Sequence, residues 1–337
     1  MWAMDLSAIV VRDNPERVGS LTLALEALLR WAGANVRYRR LDAALALSLR
    51  TAGVRGRACL GWWSVYGSDV FLAETGLMFG LRLRELHPPE AATGLADHQP
   101  YAQHFEASYA PLIRRALEHN QPVIAWQGWP DAPACLWGII TQVGDQGLGF
   151  AGTVMWSGGR NVPIVTPPVQ LYVVEEIIPR QPDDESLFTE ATRRFHATLH
   201  DRLIDDPDVV VGADGYQIWL DRLQSDKVCP TCTGPGGPCH MQHARFISAN
   251  RASAIRYFRH YRDGASPTLQ ASIDALLAEC QGSIDVLSTS REQAAVDSLI
   301  KTDQGRRALA VGVEAARSFD QAVAGVVEQM REMANVE

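Results

Sequence analysis

Lysine and net positive charge are what this 337-residue sequence most clearly lacks. Lysine occurs only at Lys227 and Lys301, so the other basic residues are arginines, a bias that we attribute to the codon usage of a GC-rich genome. The formal net charge is -8. A protein that binds phosphate backbones usually presents clustered positive charge. We therefore expect no nucleic-acid partner.

Long apolar runs are also absent. No segment approaches the roughly 18 consecutive apolar residues of a membrane-spanning helix, so we expect no membrane partner. The first residues contain the acidic Asp5 and only a short apolar run at residues 8–11, which does not resemble a secretory signal peptide. A cytoplasmic location is the resulting expectation. In that reducing setting, clustered cysteines more often bind metal or undergo redox chemistry than form structural disulfides.

Soft donor side chains are concentrated in residues 229–243, which read CPTCTGPGGPCHMQH. A subset of these thiols and imidazoles has a spacing that suits one tetrahedral ion, with zinc as the first expectation and iron or copper(I) as the others. The predicted metal ligands are Cys229, Cys232, Cys239 and His243. His240 is then a candidate catalytic proton carrier or a hydrogen-bond partner of a ligand. A redox dithiol, a disulfide and a surface loop without chemistry remain open as alternatives.

The order of the helical and strand patterns predicts an α+β protein of two domains. Apolar residues at helical spacing predict a helix over residues 20–33, where Ser20 can cap the start and Gly33 can end it. A second helical pattern covers about residues 41–49. Residues 122–178 contain β-branched and aromatic runs separated by turn signals, which predict a meander of antiparallel strands, and an all-helical half follows. The predicted domains are 1–180 and 184–337.

Several segments resemble a known family. SLTLALEALLRWAG, at residues 20–33, is similar to the helix that bears the nucleophile in papain-like proteins related to the N-terminal domain of butirosin biosynthesis protein H and to the C39-like peptidases. QPVIAWQGWP and CLWGIITQVGDQGLGFAG look like the central hairpin of that group. GADGYQIWLDRL and RASAIRYFRHY resemble the helical half of proteins that carry this domain. The resemblance implies a papain-like fold for the first predicted domain.

The catalytic pair of that family is incomplete in this sequence. Papain-like catalysis uses a thiolate at a helix N-terminus and an imidazole on the adjoining sheet. The thiol position reads Ser20, and the hairpin position that should supply the histidine reads CLW. Acyl transfer through Ser20 would need an imidazole from the helical half, with His196, His200 or His243 as the donor. A structural role for Ser20 at the helix start is the favoured interpretation.

Two further groups of side chains are candidates for binding. Trp126, Trp129 and Trp137 fall on the predicted hairpin, and their flat rings suit a pocket for a planar or cationic small molecule, although core packing is the plainer explanation. His196 and His200 are four residues apart, which places both on one helical face, a geometry that suits a metal. The intervening glutamate of the zincin pattern is missing, so solvated histidines are the favoured interpretation.

Three functions are consistent with these observations. The first is an enzyme of specialised or thiol metabolism on a papain-like scaffold, which uses the Cys/His segment, with or without metal, beside a Trp-lined cleft. The second is a non-catalytic protein that binds a small molecule or a partner and has the Cys/His segment as a structural clip. The third is acyl transfer through Ser20. In the last predicted helix, an apolar stripe from Phe319 to Met333 indicates core packing or, as the alternative, a homodimer contact.

Overall fold

The computed structural model describes residues 5–12, 16–55, 68–86, 101–130, 136–200, 208–224 and 239–334. The chain forms two compact units. The first consists of Met1–Leu41 and Phe71–Pro182, and the second of Asp42–Val70 and Asp183–Glu337. The domains predicted from the sequence are continuous, whereas the second unit also includes the early segment from Asp42 to Val70.

Strands are concentrated in the first half of the chain and helices dominate the second, which confirms the predicted α+β class. The described helices are α1 (Ser20–Trp31), α2 (Tyr38–Ala44), α3 (Leu72–Phe79), α4 (Tyr101–His104), α5 (Ala110–Glu118), α6 (Asp184–His200), α7 (Ala213–Gln224), α8 (Cys239–Arg262), α9 (Pro267–Val286), α10 (Ser288–Arg291), α11 (Gln293–Leu299) and α12 (Asp303–Ala334). A 3-10 turn covers Leu6–Ala8, and a π-helical stretch covers Phe105–Tyr109. The described strands are β1 (Ala52–Val54), β2 (Leu81–Glu85), β3 (Val123–Trp126), β4 (Trp137–Val143), β5 (Phe150–Val154), β6 (Val162–Pro163), β7 (Gln170–Ile177) and β8 (Val209–Val211).

The first unit is built on an antiparallel sheet whose described strands have the order β2-β7-β3-β4-β5-β6. Of the four strands of the predicted meander, β3, β4 and β5 pair in chain order, but the next strand along the sheet is the short β6, which was not predicted, and not β7. Gly147, in the turn between β4 and β5, has a φ of 61° and lies so close to the Ile164 carbonyl that a Cβ would be 2.1 Å from its oxygen. β7 leaves the meander and pairs with the other edge of β3. β3 is therefore central and entirely buried, which explains its unbroken apolar sequence.

Helix α1 begins and ends close to the predicted positions. Gly33 follows it in the left-handed region, with a φ of 85°. The N-cap residue is Gly19, however, so the prediction that Ser20 caps the helix is wrong. The Ser20 hydroxyl instead accepts a hydrogen bond from the backbone N–H of Trp137 at 3.0 Å, because α1 contacts β4.

The second unit has a helical core with one small sheet. Its long helix α12 contacts α6, α7 and α9. β8 interrupts the predicted all-helical half, because it pairs antiparallel with β1 from the early segment, with Ala52 opposite Val211. Strands of three residues are too short to show the alternation by which strands are recognised in a sequence.

A buried ion pair connects α8, α12 and the chain before β1. Arg251 donates to Asp320, and both side chains are fully buried. The Asp320 carboxylate also accepts hydrogen bonds from the hydroxyls of Tyr216, at 2.9 Å, and Thr51, at 3.0 Å. Arg251 donates further to the Ser48 carbonyl at 3.0 Å. The buried charges are thus paired and hydrogen-bonded, as burial requires.

One face of α12 is buried along most of the helix. The buried positions repeat every three or four residues and are Leu309, Val313, Ala316, Asp320, Val323, Val327 and Met330. Because helices of the same chain contact α12, the core-packing explanation of the apolar stripe is confirmed for Val323 and Met330. The homodimer contact remains a prediction. Among the described helices, none is long and apolar enough to cross a bilayer.

Candidate functional site

Part of the predicted Cys/His site lies within the described residues. Cys229 and Cys232 lie outside them. Cys239, the first residue of α8, is buried and disulfide-bonded, which is one of the alternatives left open by the sequence. In a disulfide it offers no thiolate to a metal. The four-ligand zinc site remains a prediction that requires this disulfide to be reduced.

The one free cysteine among the described residues is Cys280. Its side chain is buried in α9. Burial raises the pKa of this thiol to about 12. Cys280 is therefore protonated at neutral pH and does not have the thiolate character that a catalytic nucleophile needs.

His240 and His243 lie against the indole ring of Trp219 in the second unit. The ring centroids are 5.4 Å apart for His240 and 4.6 Å apart for His243. The indole N–H of Trp219 donates to Nδ1 of His240 at 2.8 Å. A neutral imidazole whose Nδ1 accepts must have its proton on Nε2. His240 therefore presents an N–H donor, which suits a proton carrier better than a metal ligand.

Burial keeps both imidazoles neutral. Nε2 of His240 and Nδ1 of His243 are buried and have no hydrogen-bond partner among the described residues. Burial lowers the pKa of His240 to about 4. Burial, together with the neighbouring His240, lowers the pKa of His243 to about 3. Since metals bind the neutral form of imidazole, the protonation state of His243 is compatible with its predicted role as a ligand.

The side chain of Ser20 is buried. It is only 1% exposed, and among the described residues its hydroxyl has the Trp137 N–H as hydrogen-bond partner and no histidine. A serine nucleophile needs a base at roughly 2.6–3.2 Å. Acyl transfer through Ser20 remains a prediction for which the described residues supply no base.

The three tryptophans of the predicted ligand pocket are buried in the first unit. Trp126 and Trp137 are opposite each other on β3 and β4, with ring centroids 6.1 Å apart. The ring of Trp129 packs on Gly138 so closely that a Cβ at that position would be 2.5 Å from it. These contacts are those of core packing, the plainer explanation of the sequence. A ligand role for the three rings remains a prediction.

A different set of ligand atoms is assembled in the second unit from two helices. His196 and His200 lie on one face of α6, and their ring centroids are 4.6 Å apart. Helix α12 contacts α6 and supplies Glu328, whose Oε2 pairs with Nε2 of His196. One ligand atom from each of the three residues lies within 4.8 Å of the other two. These three side chains are the candidate metal centre.

Arg331 orients the carboxylate of this centre. Its guanidinium donates to Oε1 of Glu328 at 2.7 Å, which leaves Oε2 to face His196. The hydrogen bond from Arg331, with smaller effects of the two histidines, holds the pKa of Glu328 below its ordinary value. Glu328 is therefore ionised at neutral pH, and a hydrogen bond from an outer side chain is usual for carboxylates that bind metals.

Space is available beside the three ligands. Gly325 precedes Glu328 by one turn of α12, and nothing lies within 4 Å of the point where its Cβ would be. The side chain of His200 is exposed, whereas those of His196 and Glu328 are half-buried. Solvent and a small ligand can therefore reach the candidate metal centre.

Two histidines and one glutamate are a ligand set of catalytic zinc sites and of iron(II) sites with open positions. Zinc bonds of about 2.0–2.2 Å in tetrahedral geometry place ligand atoms about 3.3 Å apart. The three ligand atoms, which lie within 4.8 Å of one another, would have to shift by up to about 1.5 Å to reach that separation. Three protein ligands leave a fourth position for water or substrate, which is the arrangement of a catalytic rather than a structural site.

The sequence placed His196 and His200 on one helical face, with solvated histidines as the favoured interpretation, and it gave no indication of Glu328. The spacing of the two histidines places both on one face of α6, whereas Glu328 lies on α12, which is distant from α6 in the sequence. Within α12, Glu328 and Arg331 form a pair three residues apart, like Glu314 and Arg317. Nothing in the local sequence distinguishes the ligand from such surface pairs.

Comparison with known proteins assigns no family to the chain. No protein-family model and no curated protein matches the sequence. The resemblance to papain-like proteins therefore remains a prediction, and the candidate metal centre is interpreted from its own geometry and chemistry.

Proposed function

We propose that the protein is a zinc-dependent enzyme that binds the ion through His196, His200 and Glu328. The observation that supports this is the convergence of one ligand atom from each residue to within 4.8 Å. Zinc with three protein ligands keeps a position for water and lowers the pKa of that water to about 7. Hydrolysis of a carbonyl compound near neutral pH is the reaction class that this site favours. Of the three functions consistent with the sequence, this proposal retains the enzyme, with a different metal site.

Zinc content tests the proposal. Protein purified without chelator is expected to hold about one equivalent of zinc, because a folded site of this kind retains its ion. His200→Asn and Glu328→Gln are expected to lose the zinc and to keep the far-ultraviolet circular dichroism of the unsubstituted protein. The matched control is His260→Asn, since His260 is exposed on α8 and outside the ligand set.

Two results would contradict this site. One is less than about a tenth of an equivalent of zinc in the unsubstituted protein, because tight sites survive purification. The other is full zinc retention by both His200→Asn and Glu328→Gln. Zinc that is retained in those two variants but lost in His243→Asn would favour the predicted Cys/His ligand set instead.

A second candidate function is a non-catalytic binding protein in which the Cys/His segment is a structural clip. The disulfide at Cys239 favours this candidate. Absence of zinc from the unsubstituted protein and from all variants, together with a lower thermal midpoint after treatment with dithiothreitol, would support it over the zinc enzyme. Acyl transfer through Ser20 has no comparable supporting contact among the described residues.

A further inference from the structure

A groove with a volume of about 1110 Å³ opens on the second unit. It lies among the first turn of α6, the turn between α8 and α9, and the last turns of α12. Its apolar floor includes Phe188, Tyr261 and Met333. Phe188 and Tyr261 stack with ring centroids 3.9 Å apart and planes within 9°. Phe188 is only 3% exposed and packs against Tyr261, so the apolar surface that a hydrocarbon or aromatic group can contact is that of the half-buried Tyr261 and Met333.

Carboxylates, but no arginine or lysine, line this groove among the described residues. They are Asp184, Glu185 and Glu332. The first two begin α6, where the helix dipole favours an acidic side chain. Glu332 lies in the last turn of α12, where the dipole disfavours one, so helix electrostatics does not account for its presence. Glu185 and Glu332 make no ion pair with a described residue, so their charge is available to a ligand.

Residues that line the groove share helix faces with ligands of the proposed zinc site. Glu185, Thr189 and His196 share one face of α6, because separations of four, seven and eleven residues return to nearly the same side of a helix. At 1.5 Å per residue, about 16 Å separate Glu185 from His196 along the axis. On α12, Glu332 follows the zinc ligand Glu328 by one turn, about 6 Å.

We propose that this groove binds an organic amine as the substrate of the zinc site. The ammonium group lies at the carboxylates, and the hydrocarbon or aromatic body lies over Tyr261 and Met333. The acidic lining, whose described residues include His260 but no arginine or lysine, and the apolar surface beside it favour this class of ligand. The bond to be hydrolysed then lies about 6–16 Å from the ammonium group. Binding of the amine is independent of the metal, whereas its role as a substrate rests on the proposed function.

Calorimetric titration of the metal-free protein tests the amine site. The probes are 4-phenylbutylamine, 4-phenylbutanol and 4-phenylbutyrate, which share a body and differ in charge. The amine is expected to bind about tenfold more tightly than the alcohol, and the carboxylate most weakly, because carboxylates and aromatic faces both attract a cation. Glu332→Gln is expected to weaken amine binding about two- to fivefold and to leave alcohol binding unchanged. The matched control is Glu314→Gln, also on α12 but outside the groove.

Equal affinity for amine and alcohol, no binding of the amine, or an amine affinity that Glu332→Gln leaves unchanged would each overturn the amine site. These outcomes do not depend on zinc. Selectivity for the amine in a protein that binds no zinc would retain the amine site and refute the proposed enzyme. Zinc binding without amine selectivity would refute the amine site and retain the enzyme.

A second titration tests the connection between groove and zinc. ω-Amino hydroxamic acids carry a zinc-binding group and an ammonium group at a separation set by chain length. In the zinc-loaded protein, affinity is expected to pass through a maximum at separations of about 6–16 Å, because only such chains reach both sites. The maximum is expected to be absent from His200→Asn. An affinity independent of chain length in the zinc-loaded protein would show that one ligand does not bind the groove and the zinc at the same time.

Discussion

His240 and His243 are buried histidines whose pKa values are lower in the folded chain than in the unfolded chain. They are 4% and 2% exposed, and burial lowers their pKa values from 6.5 to about 4 and about 3. In the unfolded chain both would take up protons below about pH 6.5. Between that pH and the folded values, the unfolded state binds protons that the native state does not. Acid therefore favours unfolding in this window.

We expect the free energy of unfolding to fall as the pH drops from about 6.5 to about 4, by up to about 1.4 kcal/mol per pH unit for each histidine. Urea denaturation at about pH 7, 6 and 5 measures this dependence. His243→Gln removes one titrating group and is expected to make it shallower. His260→Gln, which changes an exposed histidine, is the control and should leave it unaltered. An unchanged pH dependence in His243→Gln would show that this imidazole is not buried in its neutral form.

Reasoning from the sequence brought together two of the three residues of the candidate metal centre, although solvated histidines were the favoured interpretation. The helical period relates residues within one element, so it placed His196 and His200 on a common face. It contains no information about which distant helix lies opposite, so Glu328 was not found. The same limit applies to Ser20, whose hydroxyl partner is a backbone N–H on β4. Pairing across elements is what the sequence could not supply.

The buried stripe of α12 includes one charged residue, Asp320, among small or apolar positions. This carboxylate is bonded to Arg251 of α8, Tyr216 of α7 and Thr51. A fully bonded buried ion pair contributes little net stability compared with apolar packing, but removing one partner leaves an uncompensated charge. We infer that Asp320 sets the register of α12 against its neighbours, a role for which buried polar groups are known.

Replacement of Arg251 tests the importance of this ion pair. Arg251→Met is expected to lower the free energy of unfolding by about 3–5 kcal/mol, because Asp320 would remain buried without its cation. The control is Arg262→Met on the same helix, where the exposed pair with Asp274 is expected to contribute about 1 kcal/mol or less. Urea denaturation of both variants gives the comparison. A similar small effect of the two changes would mean that the Arg251 pair is solvated.

Most elements could be predicted because their patterns are long and regular. The strands β3, β4, β5 and β7 were recognised from β-branched runs between turn signals. β2 was missed, although Leu81 and Leu83 alternate with arginines directly after Gly80. The helix predicted over residues 41–49 ends at Ala44, since Ala46 adopts a φ of 54°. Residues 45–50 are buried, and we infer that this burial, rather than their helical propensity, determines the course of the backbone after Ala44.

For the molecule as a whole, the main difference from the sequence prediction is that the second unit is discontinuous. Its early segment, Asp42–Val70, contains strand β1, which pairs with β8. The same segment contains Ser48 and Thr51, which accept hydrogen bonds from Arg251. The sequence shows a composition change near Pro182 and none near Asp42. A boundary that depends on long-range pairing has no local signal, so a continuous domain was predicted.

This connectivity leads to a prediction about fragments. Residues 183–337 alone leave β8 without its partner strand and leave Arg251 without the Ser48 carbonyl and the Thr51 hydroxyl. Since buried polar groups without partners cost about 1–3 kcal/mol each, we expect this fragment to lack a cooperative thermal transition. Residues 42–70 joined to it by a flexible Gly/Ser linker are expected to restore the transition. Thermal melts followed by circular dichroism compare the two fragments with the full chain. A cooperative transition of 183–337 alone at the midpoint of the joined fragment would show that the early segment is dispensable for the second unit.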